Sequence, residues 1–191
     1  MASSAPSKTD TQSETHIVEN QTPVLEDDNV FESDPVLSDA LLREGGAWGA
    51  DRARTLGGLV GSAEVLQWAR DANRHTPELH THDRAGNRID RVDYHPTWHH
   101  LMSLAVEHGV HVLPWRYPQP GAHVVKAALA YLMNQGENGV CCPMAMSFAA
   151  VPALRVEPAL SAAWEPHLLS LDYDARFLPA SQKRGALVGM A

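Results

Sequence analysis

The sequence predicts a mainly α protein, and three observations carry that expectation. Apolar residues recur every three or four positions in nearly every segment that lies between helix breakers. Start and stop signals bracket those segments, Ser33-Asp34-Pro35 at one beginning and Asn134-Gln135-Gly136 at one end. Strand-like patterning is confined to a short piece around Ile89 and Val92 and to the last residues of the chain.

Residues 1–34 are rich in Ser, Thr, Gln, Asp and Glu, so they bury too little apolar area to offset the entropy of ordering. They are predicted to form an acidic flexible arm, with Val24, Leu25, Val30 and Phe31 available to clasp a neighbour. Asp34-Pro35 then opens a helix through Val36, Leu37, Ala40 and Leu41, which Gly45-Gly46 ends. From Asp51 to about Asn73 the positions Ala53, Leu56, Val60, Ala63 and Leu66 share one face and predict the longest helix. Gly57, Gly58, Gly61 and Ser62 fall inside it, and small residues at that spacing point to close approach by another helix. A phosphate cradle would need a preceding strand, which is absent.

Asp83-Arg-Ala-Gly86-Asn-Arg reads as the turn of a short hairpin over residues 83–93. His95-Pro96 opens a helix with Trp98, Leu101, Met102 and Ala105 on one stripe, and Gly109 stops it. Another runs from Ala122 to Met133. Pro143 starts a segment, MAMSFAAV, that is apolar on every side and therefore predicted to be buried, with Pro152 kinking or ending it. A short helical piece follows near Pro158–Trp164. The apolar run from Gly185 to Ala191 reads as a terminal orphan strand.

Composition narrows the function. Of 191 residues 44% are hydrophobic and two are Cys, which fits one ordinary domain and excludes collagen-like, disulfide-stapled and membrane-spanning classes. The formal charge of −8 resides in residues 1–39, with nine acids against one Lys, so the remainder is neutral. A neutral body has no field to draw in DNA or an anionic membrane. The start, MASSAPSKTDTQSETH, has neither a basic nor an apolar leader region, which makes a cytoplasmic address the expectation. Adjacent Cys141 and Cys142 make no redox or zinc motif and are expected to be reduced, buried thiols.

No complete catalytic constellation is visible. Among 11 His, only His95 and His99 could share a helical face, which falls short of a metal ligand set. Ser147 sits in AMSFAA and not in a nucleophile elbow. Arg84, Arg88 and Arg91 alternate with Asp83, Asp90 and Asp93 and read as a solvated hairpin face.

Four blocks in order, LLREGGAW (41–48), HPTWHHLM (95–102), CPMAMSFAAVPAL (142–154) and RFLPASQKRGALVGM (176–190), resemble the AidB adaptive-response branch of the acyl-CoA dehydrogenase superfamily. The likeness runs from about Asn29 to Ala191. It implies an N-terminal helical domain of the acyl-CoA dehydrogenase type over 35–180, with 181–191 beginning a middle β domain. The resemblance further implies FAD, an acyl-CoA substrate, a tetramer and DNA association in proteins well over twice this length. Family chemistry is loss of an α-proton with transfer of the β-hydrogen as hydride to FAD, in a branch that protects DNA from alkylation.

In the family, the residues matching Met190 and Ala191 lead directly into a Thr-Glu-x-x-Gly-Gly-Ser-Asp type flavin loop. Met190 and Ala191 are therefore the cofactor-edge residues that the resemblance implies. It places the catalytic base, the flavin loop and the DNA-associated region beyond them. The chain alone is expected to hold no FAD or metal, to carry no catalytic residue and to be inactive. The rival expectation is a complete small helical binding or scaffold protein with an acidic docking tail.

Overall fold

The computed structural model describes residues 19–189. Eight α-helices and one two-stranded hairpin follow in the order α1 Pro35–Arg43, α2 Ala50–Val60, α3 Ala63–Arg74, β1 Glu78–His82, β2 Arg88–Asp93, α4 Pro96–Glu107, α5 Leu113–Arg116, α6 Ala122–Gly136, α7 Cys141–Leu154 and α8 Pro158–Leu168. Helix α2 lies along α6, and α3 lies along α4. Leu56 and Val60 of α2, Val125, Leu129 and Leu132 of α6, and Leu101 of α4 are fully buried in one core. A mainly α body with one small hairpin is what the periodicity predicts.

Side chains fix the helix starts. The Asp34 carboxylate accepts the Leu37 N–H at 2.9 Å beside Pro35, and Ser62 accepts the Val65 N–H. His95, next to Pro96, receives the Thr97 N–H on its ring Nδ1, which makes it a cap.

The expected long helix over 51–73 is two helices. Apolar spacing continues across Gly61-Ser62, so periodicity could not show the break, but Ser62 caps a new start there. The freed Gly61 carbonyl accepts the Asp27 N–H at 2.8 Å, and the Asp27 carboxylate accepts the Ala63 N–H at 2.9 Å. The arm itself therefore occupies the break.

That docking also corrects the arm's boundary at residue 34 and the partner of the small residues. A Cβ on Gly57 would stand 2.6 Å from Asn29 Oδ1, and one on Gly61 would strike the Asp28 carbonyl. The close neighbour is residues 27–34, not a helix. Phe31 is buried in the core, while Val24 and Leu25 stay exposed. From Asp27 onward the arm is bound to its own body, and residues 1–18 of the arm lie outside the described residues.

Asn29 fastens the arm: its Nδ2 donates to the Arg54 carbonyl, and its Oδ1 accepts the Phe31 and Glu32 N–H groups. Asn29→Ala is expected to cost about 1–2 kcal/mol. The midpoint of urea unfolding measures this, and an unchanged midpoint would count against the clasp.

The hairpin pairs Glu78 with Asp93, Leu79 with Val92 and His80 with Arg91, with a bulge between His80 and His82. Asp83 accepts the Ala85 and Asn87 N–H groups in the turn, and Gly86 takes the left-handed conformation. Arg88 and Arg91 pair with Asp90 and Asp93, in keeping with a solvated charged face.

Two further expectations change. Helix α7 buries only Met144, Ser147, Ala150 and Val151 and exposes Cys142, while Cys141 is half-buried. An all-apolar sequence on two-sided surroundings gave no amphipathic signal to reveal the open side. Pro152 lies inside α7, which ends two residues later at Leu154. The orphan strand is also absent among the described residues. Residues 185–189 form no strand ladder and bond to the helices instead.

A ring-lined cleft as the candidate functional site

A cleft of about 590 Å³ opens between the return strand β2, helix α4 and the strap formed by residues 170–187. Its floor comes from Met102 and Val106, two residues on the inward stripe of α4, and from His111 in the α4–α5 connection. Tyr94 and Trp98 stand on one wall, their rings stacked at 3.9 Å. The opposite wall is the strap, with Tyr173, Phe177 and Leu187.

One hydrogen bond joins the walls. The Tyr173 hydroxyl and the His99 ring Nδ1 are 2.7 Å apart. Burial pushes the Tyr173 phenol above its ordinary range, so it stays protonated. Burial, followed by the neighbouring His100, lowers His99. Both groups are therefore neutral at pH 7, and the hydrogen-bonded pair acts as a brace.

The strap is held by alternate residues. Arg184 N–H donates to Asp174 Oδ2 at 3.1 Å, Ala186 N–H to the His167 carbonyl at 3.2 Å, and Val188 N–H to Ser147 Oγ at 3.1 Å. Asp174 is buried and receives Arg176 through Nε at 2.8 Å and Nη2 at 2.6 Å. Those bonds hold its carboxyl well below the usual range.

Charges around the cleft nearly balance, with one carboxylate in excess: four carboxylates and three cations line it, with Arg91 paired to Asp93 and Arg176 to Asp174. Its interior thus favours an uncharged, apolar body over an anion.

His95 and His99, the candidate metal pair, do different work, one capping α4 and the other bracing Tyr173. Among the described residues no three His, Cys, Asp or Glu gather to hold a metal. Cys141 is pushed up to about 11, chiefly by burial, which makes it a poor nucleophile. Ser147 is buried and serves as the strap's anchor. Met190 and Ala191 lie outside the described residues. Sequence reasoning missed His111, Tyr173, Asp174 and Phe177. The Asp174/Arg176 spacing was the only available hint, because Tyr173 and Phe177 are brought to the cleft by the strap's long-range path and His111 lies in the α4–α5 connection outside any periodic segment.

The family model for the adaptive response protein AidB N-terminal domain matches residues 20–175. AidB of Escherichia coli (strain K12), which carries the name of an acyl-CoA dehydrogenase, is 42% identical over 179 residues. That match covers 93% of this chain and 33% of the relative. The solved structure of Bd2924 in its apo form has a TM-score of 0.69 at 28% identity, over 80% of this chain and 32% of that one. Caenorhabditis elegans ACDH-11, solved in complex with C11-CoA, has a TM-score of 0.68 at 24% identity, over 84% and 29%, and shows likeness of fold. The chain spans about a third of the length of the relatives it matches.

Proposed function

The chain belongs to the family of AidB N-terminal domains, and on that premise we propose that it forms one wall of the acyl site in an FAD-dependent acyl-CoA dehydrogenase. One observation carries the reading: a ring-lined cleft with few unpaired charges lies between α4 and the strap of residues 170–187, and we read Met190 and Ala191, which follow that strap in the sequence, as the cofactor-edge residues. The domain's part is to take up the acyl tail, exclude water around it and fix the direction in which the chain leaves toward the flavin.

The described residues of the cleft do not fit a flavin diphosphate. Both arginines there are committed to carboxylates of their own walls, which leaves Lys183 as the one further cation in the lining to meet two phosphates, so we assign the flavin to polypeptide outside this chain. When bound there, it supplies the hydride acceptor. The α-proton acceptor and the DNA-associated region are read as lying there too, since residues 40–191 are neutral. Among the described residues no helix is long and apolar enough to cross a membrane. A cytoplasmic homotetramer that protects DNA from alkylation is the setting proposed for the longer protein.

Residues 1–191 grafted in place of the matching third of the Escherichia coli relative provide the test. The graft is expected to show a flavin absorption band and to oxidise an acyl-CoA. Trp98→Ala in it should raise the acyl-CoA KM about tenfold with flavin content unchanged. A soluble graft with full flavin and an unmoved KM in Trp98→Ala would refute the wall; a soluble but colourless graft would refute the family role.

A further inference from the structure

The cleft has a depth axis that its residues mark. Met102, Val106 and His111 are 1–2% exposed and form the floor, whereas Phe177 lines the same cleft at 66% exposure and stands at the mouth. An exposed Phe beside an apolar cavity is an unspent contact.

Its backbone aims it there. Leu178 N–H donates to the Arg176 carbonyl at 3.0 Å, a tight turn centred on Phe177. Residues 174–184 form a closed loop whose neck is the Asp174 carboxylate, bound to Arg176 on one side and to the Arg184 N–H on the other. Arg176 also donates to the Gln182 carbonyl across the loop. The ring next to Arg176 therefore cannot retreat along the chain.

We propose that Phe177 sets the ligand length that the cleft favours, with Asp174 as the positioning residue that keeps the ring at the mouth. The inference rests on the reading of the cleft as a wall of the acyl site. Short uncharged tails sit on the floor and never meet Phe177. Long ones reach the mouth, where their outer methylenes cover the ring and both surfaces leave water.

Uncharged alcohols are the probes, since most of the cleft's charges are paired with one another and the balance, one carboxylate in excess, does not favour an anion. Binding of 1-hexanol and 1-dodecanol to the chain is followed by tryptophan fluorescence, Trp98 being in the wall. Phe177→Ser should weaken 1-dodecanol about tenfold and leave 1-hexanol within about twofold. Asp174→Asn should give the same selective loss, with Arg176→Gln as the substitute if that variant does not fold. Leu79→Ser, which removes an equally exposed apolar side chain outside the cleft, should change neither probe. Equal losses for both alcohols, or no loss in Phe177→Ser, would overturn the role of Phe177. Failure of the unaltered chain to bind either alcohol would overturn the reading of the cleft, and this proposal with it.

Discussion

Gly121→Ala is expected to destabilise the domain by about 4 kcal/mol, the largest effect of a single methyl group in this chain. Gly121 precedes α6 with φ +78, in the left-handed region where a side chain is strained. A Cβ there would also strike the carbonyl of Gly45 in the α1–α2 connection. Both partners are backbone, so neither can swing aside. Relief requires α6 to part from the α1–α2 corner, the region where Trp48 donates its indole N–H to the Pro120 carbonyl and Val125 is sealed in the core. Thermal and urea unfolding should show the loss, with the helical signal of the folded state retained. A change under about 1 kcal/mol would mean that the corner is looser than the geometry requires.

Gly121 also illustrates what the sequence could and could not convey. It marks a break before a helix whose apolar positions were legible, so α6 was predictable from Ala122 onward. Its second function, letting a backbone 76 residues earlier pass in contact, leaves no local trace. Gly57 and Gly61 repeat the lesson. Their spacing correctly signalled close approach, but the approaching group, Asp27–Phe31, lay in a segment whose acidic composition predicted mobility. One local interaction, the Asn29 cap, one long-range bond from Ala63 N–H to Asp27, and one buried ring overcome that composition.

The candidate site was legible only in outline. Trp98 and Met102 declare themselves as neighbours on one stripe of α4, and the four blocks point to the family. The cleft depends on the strap crossing back over α4, and that path is set by Asp174, His167 and Ser147, which are spread over distant parts of the chain. No periodicity records such a path. The terminal run is apolar, and two of its N–H groups, those of Ala186 and Val188, find acceptors. Those acceptors are a carbonyl and a hydroxyl on helices, so a strand label does not describe it.

Acid should destabilise the domain above the range where carboxylates titrate, through His111. This residue is 2% exposed, and its Nδ1 has no hydrogen-bond partner. Burial pulls its pKa down to about 4, and the backbone of Ser170 and Leu168 offsets only part of that. An unfolded chain binds the proton near pH 6.5. Between those values the unfolded state therefore holds more protons than the folded one, and stability falls as pH falls. The full contribution is present above pH 6.5, and about 3 kcal/mol is lost by pH 4. His99, lowered in the same direction, adds to the decline within that window. Asp174 and Glu165, held below their ordinary values, act only at lower pH. Melting temperatures from pH 7 to 4.5 should drop steadily in the unaltered chain and much less in His111→Gln. Because His111 forms the cleft floor beneath the strap, its protonation should also loosen residues 168–170 before global unfolding, visible as faster amide exchange there. A flat melting profile in the unaltered chain, or an NMR titration placing the His111 ring near pH 6.5, would show that the floor is open to water.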